Sequence, residues 1–382
     1  MKREKGFTLV EMMVSTAILV ATVGAAVGAL VQAQHATQGI TLLASTQQNL
    51  RAGMHFLVRD LTQAGAGMPQ GGVTIPNNAA SVSNLNRPGT IPQITFPTTY
   101  AQLPPIVPGA SLGQLATSVN PSTLAVLTGY NTDIINIMYA DNVLQDSAGN
   151  SLNSYPIIQT APSTPVCAGV TTSTSITLAT GCFHMPGTAQ TVPLAVGNLI
   201  MFTGSTGNAL GYITAVSGQQ ISFASGDPAN LNATGAANGT LAKLITAGGP
   251  ITMTRVWMIT YYVDAATNPS RPQLIRQVNW PGYPGSGPTN PPTVVADVIE
   301  DLQLTYDISG STDAAGTYGT AGAGNAPTPI LPDTANQIRA INIYLAARSE
   351  TPYAATQQFF RNNLITQVCV RSLAFVPPFT VN

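Results

Sequence analysis

The chain has 382 residues, of which 44% are apolar and only 8% are charged, and its formal net charge is −1. Intrinsic disorder requires high net charge and low hydrophobicity, so this composition excludes a disordered chain and favours one large domain or two modest ones. No Lys or Arg occurs between Arg87 and Lys243. Because nucleic-acid binding relies on clustered basic side chains, we expect no nucleic-acid partner.

The amino terminus joins a short basic segment to a long apolar run. Basic residues at positions 2, 3 and 5 precede Gly6, and the run that follows contains one acid, Glu11, before the next charged residue at Arg51. A carboxylate at the centre of a membrane helix costs about 2.5–3.5 kcal/mol. We therefore expect Glu11 to have a function and a partner, and we expect that partner to lie outside its own helix.

Residues 6–11 read Gly-Phe-Thr-Leu-Val-Glu. This segment resembles the Gly-Phe-Thr-Leu-x-Glu motif of type IV prepilins and type II secretion pseudopilins. The resemblance implies that residues 1–6 are a leader, cleaved between Gly6 and Phe7 by a prepilin peptidase, and that the new amino terminus at Phe7 is methylated. It also implies that Glu11 meets the terminal amine of a neighbouring pilin in the filament.

The same resemblance implies a location. The chain would first cross the inner membrane once, with its head outside the cytoplasm, and would then join a pilus or pseudopilus at the cell surface or in the periplasm. The alternative is an ordinary secretory signal peptide, cleaved after Val31-Gln32-Ala33. Such peptides have an apolar core of about 7–15 residues, shorter than this run, and Glu11 does not fit within one. A plain membrane anchor explains neither Gly6 nor Glu11.

The run predicts a transmembrane helix half at residues 7–31. Its segment 12–31 would extend about 30 Å as a helix, which matches the hydrocarbon core of a bilayer. Small residues that let helices approach closely recur along it, namely Ala17, Ala21, Gly24 and Gly28. We predict that they pack against related helices. The alternative is a lone span that is rich in alanine.

Residues 32–65 predict an amphipathic continuation of the same helix, ending at the glycines and proline of 64–69. The apolar stripe consists of Leu43, Leu50, Met54, Leu57 and Leu61. Arg51, Arg59 and Asp60 are predicted to lie off this stripe. The alternative is two helices with a break near Gly39. Segment 54–65, with Arg-Asp-Leu followed by Ala-Gly, resembles the helix end of PilW-type minor pilins and J-type pseudopilins.

Residues 66–382 predict a β-rich head, with an extended loop excursion at 69–125 and an inserted small β-subdomain at about 165–245. Alternation and turn residues predict strands at 133–139, 173–179, 199–203, 294–307, 338–347 and 365–375, a hairpin at 211–216 and 220–223 that turns at Gly218, and a second hairpin at 255–263 and 273–278. The predicted fold is therefore α+β and pilin-like, with the long amino-terminal helix packed on antiparallel sheet.

The order of the late segments also resembles PilW-type minor pilins. The matching stretches are Tyr-Tyr-Val at 261–263, Leu-Ile-Arg at 274–276, Ile-Glu-Asp-Leu-Gln-Leu-Thr-Tyr at 299–306 and the alternating segment 339–348. The resemblance implies a structural subunit that joins a type IV pilus in low copy, during priming or at the tip. The alternatives are a type II secretion pseudopilus subunit and a filament-displayed adhesin that binds through loops 69–125 and 309–333.

The sequence carries no recognisable nucleophile, phosphate-binding or dinucleotide-binding motif, so we expect no enzyme activity, no cofactor and no metal. The acids Asp297, Glu300 and Asp301 lie close together, which leaves calcium as an alternative to a solvated strand surface. The predicted disulfide joins Cys167 and Cys182 across a 16-residue loop, worth about 3 kcal/mol in an oxidising compartment. Cys369 is expected to be buried as a small hydrophobic residue.

Overall fold

The structure is a computed structural model that describes residues 8–69, 71–76, 85–89, 94–96, 102–113, 131–141, 155–157, 170–178, 194–233, 235, 237–249, 251–280, 290–308 and 338–373. The helices are α1 (Leu9–Gln63) and α2 (Leu241–Ala247). The strands are β1 (Val73–Thr74), β2 (Gln102–Leu103), β3 (Ile106–Gly109), β4 (Ile134–Ala140), β5 (Tyr155–Ile157), β6 (Val170–Thr171), β7 (Ser175–Thr177), β8 (Leu199–Gly204), β9 (Gly207–Tyr212), β10 (Ala215–Ser217), β11 (Gln220–Ser222), β12 (Ile251–Asp264), β13 (Gln273–Val278), β14 (Thr293–Asp297), β15 (Ile299–Ile308), β16 (Ile338–Arg348) and β17 (Arg361–Cys369). The long apolar helix packs on antiparallel sheets, which confirms the predicted α+β, pilin-like fold.

Helix α1 is one continuous helix of 55 residues. It ends where predicted, since Gly65 and Gly67 take positive φ angles of 78° and 67° directly after it. The alternative of a break near Gly39 is wrong. That residue lies inside the helix, where a Cβ would lie 3.5 Å from the Tyr353 ring, at ordinary van der Waals distance.

The second half of α1 buries one face in the main core. Leu50, Met54, Leu57 and Leu61 are all buried, as predicted, but Leu43 is 41% exposed and its prediction was wrong. At that level the helix meets the head through Leu42, which is half-buried. Leu43 is rotated about 100° from Leu42, so it lies at the margin of the contact.

Strand β12 lies at the centre of the largest sheet, in which five strands follow the order β14-β13-β12-β4-β3. Strands β5 and β8 also pair with β12, and β9 pairs with β8. One edge of β12 pairs with β5 and β4, and the other pairs with β8 and β13. Both faces are buried, because Ile259 and Tyr261 face the core under α1 while Val256 and Met258 face a second core. The predicted hairpin of this strand with β13 is confirmed.

A separate three-stranded antiparallel sheet, β15-β16-β17, completes the surface under α1. The single strand expected at 294–307 is instead two strands in different sheets. Val298 separates them with a positive φ of 56°, a conformation that a β-branched residue rarely adopts and that the residue pattern does not announce. The final strand also begins and ends earlier than the predicted 365–375.

Cys369 is exposed, so the prediction that it is buried was wrong. Its neighbours Val368 and Val370 are 5% and 0% exposed. Successive strand residues point to opposite faces of a sheet, so the inward orientation of both neighbours directs Cys369 outward.

Segment 69–125, predicted as a loop excursion, contributes β1, β2 and β3 to the sheets. The predicted hairpin near Gly218 exists, but β10 and β11 form it, while Gly211 belongs to β9 and pairs with β8. The hairpin joins the sheet β10-β11-β7-β6. Because β8 also pairs with β12, the block at about 165–245 contributes to two sheets, and its status as an insertion stays a prediction.

Asp133 connects the largest sheet to the three-stranded sheet. Its backbone N–H donates to the Leu302 carbonyl at 2.8 Å, and its carboxylate accepts from the N–H groups of Leu304 and Ser111, each at 2.7 Å. Burial raises the pKa of Asp133 to about 7, although these two backbone bonds lower it. The connection between the sheets therefore depends on a carboxyl group that titrates near neutral pH.

This shift predicts a pH-dependent stability. The ordinary pKa of the group is 3.8, so the folded state holds a proton that the unfolded state has lost between about pH 4 and pH 7, and the free energy of unfolding falls as pH rises through that range. Measured against Asp133→Asn at each pH, the native chain should lose up to about 4 kcal/mol across this window. A difference between the two chains that does not vary with pH would contradict the assignment.

Gly53 permits the close approach of α1 to the sheets. A Cβ there would lie 3.0 Å from Leu274, 3.1 Å from Leu345 and 3.2 Å from Ala296. Gly53→Val should therefore lower the free energy of unfolding by about 1–3 kcal/mol, because the core is overpacked. Gly28→Val is the matched control, since no atom lies within 4 Å of a Cβ there. Denaturant unfolding of the full chain in detergent measures both; equal losses would argue against the tight contact.

Candidate assembly and anchoring site

The first half of α1 has no contact with the described head. Residues 8–34 are exposed without exception, and His35 is the first helix residue that is not. The helix contains an 18-residue window with a mean hydropathy of 2.2 that is 0% buried. This apolar half is long and hydrophobic enough to cross a membrane, and it projects from the head as a free rod.

Glu11 lies at the start of this rod and exchanges hydrogen bonds with Thr8. Thr8 caps the helix, and its hydroxyl accepts from the Glu11 N–H at 3.3 Å. In return the Thr8 N–H and hydroxyl donate to Oε2 of Glu11 at 3.0 and 2.9 Å. The two residues form a capping box, so the expectation that Glu11 has no partner in its own helix was wrong. The Thr-x-x-Glu spacing at 8–11 is the sequence signal for this motif.

The predicted packing residues lie on the exposed rod at spacings of four, three and four residues; they are Ala17, Ala21, Gly24 and Gly28. Such spacing places them on one side of a helix. A Cβ added at Gly24 or Gly28 would meet no atom within 4 Å. No close contact within the described residues therefore requires glycine at these two positions, and their small surface is available to another helix.

The far end of α1 is anchored to the head by Asp60. This residue was predicted to lie off the buried stripe, but it is only 1% exposed. Its Oδ2 accepts from the Tyr261 hydroxyl at 2.7 Å and from Nε of Arg276 at 2.6 Å, and its Oδ1 lies 3.1 Å from the Arg59 guanidinium. The prediction failed because Asp60 lies seven residues after Gly53 and three after Leu57, on the buried side of the helix.

Electrostatics at this anchor favour the charged pair. Burial lowers the pKa of Arg276, but the hydrogen bond and charge of Asp60 outweigh that effect and the net change is upward. Burial, followed by the nearby Asp60 charge, raises the pKa values of Tyr261 and Tyr139. Both phenols therefore stay protonated at neutral pH, and Tyr261 remains a hydrogen-bond donor to the carboxylate.

The three acids considered for calcium contact other side chains. Asp297 accepts from Gln273 at 2.6 Å, Glu300 from Arg361 at 2.8 Å, and Asp301 from Gln303 at 2.9 Å. Gly6, Phe7, Cys167 and Cys182 lie outside the described residues, so cleavage, methylation and the disulfide stay predictions.

Comparisons with known proteins bear on the exposed rod. Residues 1–27 match the family described as the prokaryotic N-terminal methylation motif. The comparisons with curated proteins and with solved structures each found no match. The predicted prepilin-type motif is thereby confirmed, and it supports a type IV pilin-like protein. It points to a structural subunit and implies processing by prepilin peptidase and assembly with other pilins.

The Asp60 anchor makes a measurable contribution to stability. Asp60→Ala should lower the free energy of unfolding by about 3–5 kcal/mol, because it leaves the Arg276 charge buried without its partner. Tyr261→Phe, which removes one hydrogen bond and keeps the ring, should cost about 1 kcal/mol. Replacing Asp60 and Arg276 together by Leu should restore most of the loss. A cost below about 1 kcal/mol for Asp60→Ala would contradict the anchor.

Proposed function

We propose that this chain is a minor pilin of the PilW type that is processed by prepilin peptidase and joins a type IV pilus in low copy, during priming or at the tip. The observation that carries the proposal is the exposed apolar rod at residues 8–34, which directly follows the cleavage point that the methylation motif implies. In this proposal the rod first crosses the inner membrane once, with the head outside the cytoplasm, and then packs among the helices of other pilins.

The size of the head supports a low copy number. The chain has a mass of 39.5 kDa, and the head begins to cover the helix only at His35. Helices that pack closely through Gly24 and Gly28 would bring neighbouring heads together just beyond the rod. A bulky head is easier to accommodate at the end of a filament than at every position of a shaft.

The geometry of Glu11 supports its proposed role in assembly. Both donors of Thr8 reach the same oxygen, Oε2, and Oε1 has no hydrogen bond to a described residue. Glu11 can therefore keep its capping interaction and still accept a hydrogen bond from the terminal amine of a neighbouring subunit. Between apolar helices such a pair is weakly screened, so it favours one axial register over others.

The mass of the mature chain tests most simply whether the protein is processed by prepilin peptidase. Intact-mass spectrometry of the protein from its native membrane should show a chain that lacks residues 1–6 and begins at methylated Phe7. Gly6→Val adds a branched side chain at the cleavage point and should keep the leader while still reaching the membrane. A mature chain that begins at Gln34 would instead identify an ordinary signal peptide.

Assembly depends on Glu11 if the second oxygen binds a neighbour's amine. Glu11→Ala and Glu11→Gln should leave the membrane level unchanged but lower the amount in sheared filaments by about tenfold or more, because both remove the charge. Thr8→Val removes the capping hydroxyl and keeps the carboxylate, so it should assemble nearly normally. Quantitative immunoblots of the membrane and filament fractions measure this, and full incorporation of Glu11→Gln would show that the charge is dispensable.

A further inference from the structure

The connection between β16 and β17, residues 349–360, is the part of the described head that meets α1 nearest to the rod; we name it the foot loop. The His35 ring lies edge-on to Tyr353, with centroids 6.1 Å apart. A Cβ at Gly39 would lie 3.5 Å from Tyr353 and 3.7 Å from Phe360. The head therefore begins, at the rod, with an aromatic cluster.

The foot loop has a defined conformation. The Ser349 N–H donates to the Phe360 carbonyl at 2.7 Å, and the Tyr353 N–H donates to the Gln358 carbonyl at 2.8 Å. The Tyr353 and Phe360 rings pack with centroids 5.1 Å apart. These contacts close the loop twice and fix the direction in which its tip projects.

The chemistry of the foot loop is unusual for an exposed turn. Residues 351–360 read Thr-Pro-Tyr-Ala-Ala-Thr-Gln-Gln-Phe-Phe and carry no charge. Pro352, Ala354 and Ala355 are exposed, while the three aromatic residues are half-buried. Tyr353 is of a residue type that is enriched at the boundary between membrane and water, because its ring is apolar and its hydroxyl is polar.

The position of the loop along α1 matches that boundary. If residues 12–31 fill the hydrocarbon core, Val31 lies at its outer edge. His35 follows four residues later, about 6 Å further along the helix. The interfacial layer on each side of a bilayer is about 5–7 Å thick. The aromatic cluster that touches His35 therefore lies at the level of the phospholipid headgroups.

We propose that the foot loop docks on the phospholipid headgroup layer of the membrane that α1 spans, before the subunit enters a filament. This inference rests on the proposed insertion of the rod. The loop would keep the head in contact with the bilayer surface and set how deeply α1 is inserted. Glu11 would then lie near the opposite edge of the hydrocarbon core. The one acid of the loop, Glu350, pairs with Arg271 at 3.3 Å, and residues 351–360 carry no charge, so docking should depend on interfacial partitioning and not on anionic lipid or salt.

The far end of the head supplies a control position. Arg348, the residue directly before the foot loop, donates to the Ser270 carbonyl at 2.6 Å, which places the Asp264 end of β12 beside the loop. The opposite end, Ile251, is about 40 Å away along the strand. It packs in the same cluster as Ile221, the direct partner of Val216. Val216 is 39% exposed and lies far from the proposed membrane surface.

Tryptophan fluorescence in vesicles tests the docking. The full chain is reconstituted in phosphatidylcholine vesicles as Tyr353→Trp, as Val216→Trp and as Leu19→Trp, with the unaltered chain as the baseline for the native tryptophans. One lipid quencher carries a nitroxide on its headgroup, and the other carries bromine near the middle of its acyl chain. We expect the headgroup nitroxide to quench Tyr353→Trp about twofold or more above Val216→Trp, equally at low and high salt, and the bromolipid to quench Leu19→Trp.

The other possible quenching results each contradict the proposed docking in a different way. Quenching of Leu19→Trp without extra quenching of Tyr353→Trp would overturn the docking and leave the insertion standing. Absence of quenching at Leu19→Trp would overturn the insertion and, with it, the docking. Quenching of Tyr353→Trp that disappears at high salt, or as the protein density in the vesicles rises, would assign the loop to an electrostatic contact or to another copy of the chain.

Discussion

The apolar half of α1 has no partner in the described head, and the architecture of the molecule follows from that fact. Residues 8–34 present apolar side chains on every side, and a hydrophobic surface of this length is not stable in water. Two environments can cover it, namely a bilayer or a bundle of similar helices. In the proposed function the same rod passes from the first environment to the second, and the head needs no change for this transfer.

That transfer requires a rigid connection between rod and head, because a helix that bends freely cannot position its neighbours. Helix α1 continues without a break from the rod to the sheets, and Gly53 lets it lie directly on Leu274 and Leu345. Asp60 joins it to Arg276 on β13 and to Tyr261 on β12. The charged contact lies at the opposite end of the helix from Glu11, so a force on the rod is transmitted through the whole apolar contact to two strands of the large sheet.

The elements that could be predicted from the sequence were those whose residue pattern repeats over many positions. The continuous helix, the hairpin of β12 with β13, and β4 and β16 each carry a long periodic pattern that local exceptions do not alter. Single-residue features were missed. Asp60 was predicted to lie off the buried stripe, although its spacing from Leu57 places it on the buried face. The break at Val298 depends on a backbone angle that Val seldom adopts. The Thr8–Glu11 capping box was present in the sequence as Thr-x-x-Glu but was not recognised there.

The central claim is that the rod exchanges lipid for other pilin helices. A photo-crosslinking amino acid at Val27, which is 54% exposed on the rod, tests it directly when crosslinking is performed both on membranes and on sheared filaments. The account predicts crosslinks to lipid in the membrane fraction and crosslinks to another processed, methylated subunit in the filament fraction. A rod that crosslinks only to lipid, in a chain that stays with the membrane after the filaments are removed, would contradict it.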